Sequence, residues 1–140
     1  MSTTFAELLG HHNITIPDDT LAELEVPVLA GPQRQGDVGI FPRQYLTEGE
    51  RQLAQPVPPE GIQVVVGEAT GNTHLLHADG AVLWLPKTTD GVLLGILHID
   101  TGSTAYLIHT DEHGANGIAA GTYEIRGKRE QADEIRRVAD

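Results

Sequence analysis

The sequence predicts an all-β fold, a small barrel or a two-sheet sandwich of about seven strands. Three observations carry this expectation. Short apolar runs rich in β-branched residues recur along the chain, as in Ile62–Val66 and Thr104–His109. Gly, Pro and Asp punctuate these runs at fairly regular spacing. No helix-length periodic segment separates them, so parallel βαβ crossovers are not expected.

The first 32 residues read as a small, partly helical arm. Thr4 suits the N-cap of a short helix over 5–9, with Gly10 ending it. His11 and His12 follow on a solvated turn, and Ile14–Ile16 alternates like a brief strand. Pro17, Asp18 and Asp19 mark a second helix start leading into Thr20–Glu25. Pro27, Gly31 and Pro32 break the chain again. The arm has too few apolar residues for a core of its own, so it must pack on the body, pack on a neighbouring subunit, or stay mobile.

The β-domain is expected over 33–128. Its first strand lies in Gly36–Phe41, where Val38 and Ile40 alternate with smaller or polar residues. Residues 47–61 carry Gly49, Pro56, Pro58, Pro59 and Gly61 and read as a loop. Strands follow at Ile62–Val66, Thr73–His77 and Ala81–Leu85, and Ala78-Asp79-Gly80 is a turn of the kind that closes a hairpin. Val92–Ile99 is apolar without alternation, which suggests burial on both faces. Thr104–His109 and Gly121–Arg126 complete the set, with Glu124 and Arg126 on an outward face. The tail, 129–140, suits a short C-terminal helix with Ile135 and Val138 on one side.

Composition excludes several roles. Formal net charge is -11, from 9 basic and 20 acidic residues. Phosphate recognition needs clustered Lys and Arg, so neither nucleic acid nor an anionic membrane is an expected partner. Five of those basic residues (Arg126, Lys128, Arg129, Arg136 and Arg137) fall in the last stretch of chain. They form either a solvated tail or a dock for an acidic neighbour such as another subunit. Cysteine is absent, which removes disulfides, thiolate metal sites and cysteine nucleophiles. The N-terminus lacks the basic and apolar regions of a secretory signal, and no apolar run reaches the ~20 residues of a membrane helix. The expected location is cytoplasmic, or in a virion were the protein phage-derived.

Most histidines lie in or near two clusters, Glu68–His74 and His109–His113. His109-x-x-Glu112-His113 spells an inverted zinc-peptidase motif. That mechanism needs a helix, where residues four apart share a face. The preceding Ala105–Ile108 reads as strand, and Gly114 and Gly117 follow, so the peptidase reading is rejected. A non-helical site survives, with His74, His109 and His113 plus Glu68 or Glu112 converging at strand ends. Such a set can hold a divalent zinc, manganese or iron ion. The alternative is that these are exposed or hydrogen-bonded loop residues. No phosphate loop or nucleophile elbow accompanies them.

Gln35-Gly36-Asp37-Val38, Gly67–His74, His109–His113, Ala120–Arg126 with Lys128–Glu130, and Ile135–Asp140 together resemble a family of small uncharacterised β-rich proteins. These occur in actinobacteria and other bacteria, and in phage or mobile-element neighbourhoods. The resemblance spans roughly 34–140 and implies no established activity. The family usually has Gly-His-x-His where this chain has Gly71-Asn72-Thr73-His74. It also tends to have an aromatic and a proline near Gln131 and Ala132. Asn72 is a poor substitute for imidazole at zinc.

Two functions are expected from these features. One is a small non-catalytic binding or structural protein that self-assembles into a homo-oligomer or docks on a larger protein partner. The other is a metal-binding, cupin-like β-barrel with enzymatic potential.

Overall fold

The computed structural model describes residues 3–4, 7–8, 25–65, 68, 73–87, 92–109 and 114–127. In chain order its elements are β1 (Thr3–Thr4), β2 (Glu25–Val26), β3 (Val28–Leu29), β4 (Gln33–Gln35), β5 (Val38–Arg43), α1 (Glu48–Leu53), β6 (Gln55–Pro56) and β7 (Ile62–Gln63). They continue with β8 (His74–Asp79), β9 (Val82–Pro86), β10 (Leu93–Ile99), β11 (Thr104–His109), β12 (Ala115–Ile118) and β13 (Gly121–Arg126).

These strands form a six-stranded sheet, β4-β5-β13-β10-β9-β6, and a five-stranded sheet, β3-β12-β11-β8-β7, besides the small β1-β2 pair. All pairings are antiparallel except β3 with β12. The two large sheets share no strand, so among the described residues no barrel closes. The chain moves between sheets at its turns. β8 and β9 lie in different sheets, so Ala78-Asp79-Gly80 is a crossing between layers and not a hairpin. The crossing from β10 to β11 lies beside it. Ala81 N–H donates to Ser103 Oγ at 2.8 Å, and Asp100 N–H to the Ala81 carbonyl at 3.0 Å.

The expected fold class needs three corrections. Thirteen strands are present among the described residues, not about seven. The seven expected strands are all there, but six short ones escape a reading of apolar runs because they are two to four residues long. The barrel is replaced by two separate sheets. The helical arm is corrected in part: Glu7 and Leu8 are helical and Glu7 N–H donates to Thr4 Oγ1 at 3.1 Å, but the arm's other described residues supply β1, β2 and β3, and β3 joins the five-stranded sheet. The strand expected at Ile14–Ile16, the helix start at 17–20 and the C-terminal helix over 129–140 lie outside the described residues. The helix α1 stands where a loop was expected. Thr47 and Glu50 form a reciprocal capping box, with Glu50 N–H on Thr47 Oγ1 at 3.1 Å and Thr47 N–H on Glu50 Oε1 at 3.0 Å.

The core lies between the two sheets. Val38, Ile40, Trp84, Leu97 and Tyr123 reach it from one sheet, and Leu76, Leu107 and Ile118 from the other. β10 is central in its sheet and buried over most of its length, as its sequence suggests. Its pairing with β13 shifts between Leu93 and Gly95, a bulge that puts Leu94 in the core in phase with Leu97 and Ile99. Gly95 is required by close approach. A Cβ there would lie 2.3 Å from the Trp84 ring and 2.8 Å from the Leu85 carbonyl oxygen.

The outer faces differ. On the five-stranded sheet, Tyr106 and Ile108 pack with Leu8 and Val26 from the N-terminal segment. On the six-stranded sheet, α1 buries none of its residues and meets the strands through polar contacts. Arg43 Nη1 is 3.0 Å from Glu50 Oε2, and Arg51 Nη2 is 3.3 Å from His98 Nε2.

Candidate functional site

The polar residues of the interior gather at one end of the space between the sheets. Strand alternation puts them there. Leu76 points into the core, so His74, two residues earlier on β8, faces the same way. Leu107 points inward on β11, and so does His109 at its end. These histidines are direct cross-strand partners. Their ring centroids are 4.5 Å apart, edge to face at 63°. Both are buried, His74 at 5% and His109 at 3% exposure.

Glu68 reaches this pair from the segment before β8. Its Oε1 accepts the His74 backbone N–H at 2.9 Å, and its Oε2 lies 2.7 Å from His74 Nδ1. His74 Nε2 lies 3.2 Å from the Gln35 main-chain carbonyl oxygen. Both ring nitrogens therefore face oxygen acceptors. Both contacts are hydrogen bonds at once only if the ring is an imidazolium.

The opposite sheet contributes β4. Gln33 and Gln35 pair with inward-facing Ile40 and Val38, and so point into the same space. The Gln35 Nε2 donates to the Leu107 carbonyl at 2.7 Å and to Asn116 Oδ1 at 3.0 Å. Asn116 Nδ2 donates to Gln33 Oε1 at 3.1 Å, and Gln33 Nε2 to the Gly117 carbonyl at 2.9 Å. This amide chain rivets one sheet to the other. One atom is left over: Gln35 Oε1 is buried and meets no donor among the described residues.

Of the candidate ligands, the structure thus brings together Glu68, His74 and His109. His113 and Glu112 lie outside the described residues. Among the described residues, no cluster of three His, Asp or Glu side chains is arranged to hold a metal ion. His109 ends a strand, which agrees with rejection of the helical peptidase motif. The other two described histidines lie elsewhere. His77 is buried against Gly61, where a Cβ would meet its ring at 2.6 Å. His98 faces outward, between Thr122 Oγ1 at 2.8 Å and Asp100 Oδ1 at 3.0 Å.

Gln33, Gln35 and Asn116 are absent from the sequence-derived set. The available signal was the spacing Gln33-x-Gln35 just before the Gly36-Asp37 turn. Two amides two apart on a strand share a face, and that face is the one Val38 and Ile40 bury. A separate pocket of about 250 Å³ lies at Thr3, Glu7, Leu8, Asp79 and Tyr106, where the N-terminal segment meets the five-stranded sheet. No helix among the described residues is long and apolar enough to cross a membrane.

A mostly β, two-sheet domain with a buried polar cluster at one end is the class these observations define. Within it, a family described as a domain of unknown function, DUF8820, matches residues 34–128, and the chain belongs to that family. The match takes in β5 to β13 and the whole polar cluster but for Gln33, and it leaves the tail from 129 outside. No curated protein matches the chain, and no solved structure does.

Proposed function

We propose that the protein is a small non-catalytic binding or structural protein that works through assembly, on copies of itself or on a larger protein partner. The observation that carries this reading is β3, which has a strand on one side alone among the described residues. Val28 and Leu29 are 44% and 48% exposed on the last strand of the five-stranded sheet. Their main chain bonds β12 on one side, through Gly117 N–H to the Pro27 carbonyl at 3.1 Å and Ala119 N–H to the Leu29 carbonyl at 3.0 Å. An exposed apolar edge strand is a template for pairing with another chain. The resemblance to proteins of phage and mobile-element neighbourhoods in actinobacteria fits a part in a larger particle. The cysteine-free composition suits assembly in the cytoplasm. Light scattering over a wide concentration range tests self-assembly. A concentration-dependent mass that Val28→Lys with Leu29→Lys lowers is the expected result. A strict monomer at every concentration sinks self-association and leaves only a different partner.

A second reading is favoured by the convergence of Glu68, His74 and His109. On this reading Glu68, His74 and His109 would hold zinc, manganese or iron together with His113, four residues beyond His109 in the sequence. Elemental analysis of tag-free protein decides it. Less than about 0.1 metal per chain, with no thermal shift on adding any of the three ions, removes this reading.

A further inference from the structure

We propose that Asn116 is a deamidation site guarded by β3, and that it converts to aspartate or isoaspartate when β3 lifts from the sheet. Of the three asparagines, Asn116 alone is followed by glycine, while Asn13 and Asn72 precede the β-branched Ile14 and Thr73. Glycine leaves its own nitrogen unhindered, whereas a branched Cβ crowds it. In the reaction the Gly117 nitrogen loses its proton and attacks Asn116 Cγ. The Cγ–Nδ2 bond breaks, ammonia leaves with a proton taken up through the solvent, and a succinimide ring closes. Water then opens the ring at either carbonyl, so the step needs no oxidant and no cofactor.

The structure explains both why glycine follows Asn116 and why the folded chain resists the reaction. β3 passes so close to β12 that a Cβ on Gly117 would lie 2.6 Å from the Pro27 carbonyl oxygen and 3.0 Å from Val28 Cα. The parallel pairing of Gly117 with Val28 therefore demands glycine. The same pairing occupies the nucleophile, since Gly117 N–H donates to the Pro27 carbonyl at 3.1 Å. The carboxamide is tied as well. Asn116 Oδ1 accepts from Gln35 Nε2 at 3.0 Å, and Asn116 Nδ2 donates to Gln33 Oε1 at 3.1 Å. The guard is a weak one. β3 has two residues, exposed by 44% and 48%, and such a segment opens locally without global unfolding. Each opening frees the Gly117 nitrogen, and the product is permanent. An aspartate would set an oxygen where Nδ2 now meets Gln33 Oε1, and isoaspartate would add a carbon to the main chain of β12.

The test incubates the full, tag-free chain at mildly alkaline pH and follows each asparagine by peptide mass spectrometry, with isoaspartate detected separately. Folded wild type, wild type unfolded in urea, and folded Val28→Gly with Leu29→Gly are compared, circular dichroism verifying the fold of the double variant. The expected results are conversion at Asn116 ahead of Asn13 and Asn72 in urea, a rate about tenfold or more lower in folded wild type, and an intermediate rate in the double variant. A second readout uses wild type alone and stands if the double variant does not fold. Sub-denaturing urea should raise Asn116 conversion and hydrogen exchange of the Gly117 N–H in equal proportion. Equal conversion in folded and unfolded wild type, or in folded wild type and the folded double variant, would overturn the guarding role of β3. Gly117 exchange that rises while conversion does not would overturn it too. Faster conversion of Asn13 or Asn72 in urea would remove Asn116 as the site.

Discussion

The interior has two regions built on the same strands to opposite rules. In the apolar body, Ile40, Leu76, Leu97 and Leu107 fill the space between the sheets with no polar atom to satisfy. At the polar end, one step further along β8 and β11, His74 and His109 occupy equivalent inward positions with Gln35 and Asn116. The first arrangement serves stability, because apolar burial asks only for volume and shape. The second requires each donor to meet an acceptor, and Gln35 Oε1 shows that the requirement is not fully met within the described residues. Stability alone does not account for an unmet requirement of this kind. Local rules are commonly broken at functional sites.

The largest expected effect probes the body. Leu107→Ala leaves a cavity at a fully buried position and should cost about 2–5 kcal/mol in urea unfolding. Gln35→Leu, of similar volume, tests the polar end, and should cost less, about 1–3 kcal/mol, because it strands the Leu107 carbonyl and Asn116 Oδ1. If Gln35→Leu cost as much as Leu107→Ala, the polar end would be a structural keystone. Its polar residues would then be kept for stability and not for binding.

The same contrast decides what the sequence makes legible. The body is readable because apolar alternation and β-branched runs report directly on burial, so all six strands of five to seven residues are found from it. Ile62–Val66 is only partly so: β7 ends at Gln63, while Val64 and Val65 are still buried. The short strands carry no such signal. Gln55–Pro56 and Ala115–Ile118 contain Pro, Gly or Asn, and they are strands because a neighbour offers a ladder, not because their residues favour one. The allocation of strands to two sheets is equally hidden. Asp79-Gly80 spells a hairpin, but the crossing there is fixed by the long-range pairing of β8 with β11. At the polar end, His74 and His109 are legible as strand-end histidines. Their amide partners are not, because Gln and Asn carry no motif, and only the inward face of β4 gives them meaning.

A smaller effect sharpens the comparison from inside the body. Tyr123 carries a hydroxyl into the body, and it donates to the Ala119 carbonyl at 2.7 Å. Burial holds its phenol above the usual tyrosine value, so it stays a donor through the alkaline range where exposed tyrosines ionise. Tyr123→Phe should therefore cost about 1 kcal/mol, measured by chemical denaturation, with the fold kept. A loss above that of Gln35→Leu would reverse the proposed ranking of the two regions.

The smallest effect sets the buried Glu68–His74 pair against the more open Glu50–Arg43 pair on the outer face. Glu50 is held below its ordinary carboxyl value near 4.5, first by the Thr47 backbone N–H and then by the Arg43 guanidinium. A carboxyl whose folded value is lowered adds stability that is complete above its unfolded value and is lost as pH falls through the folded one. Wild-type protein should thus lose melting temperature between about pH 5 and about pH 3 more steeply than Glu50→Gln, and added salt should narrow the gap. The difference should be small, since an open ion pair on a helix that buries none of its residues contributes little. Equal slopes for the two proteins would mean that the capping box and Arg43 do not tune Glu50. A slope difference that salt leaves untouched would place the effect on the capping bond alone, because the Arg43 contribution is the one that salt screens.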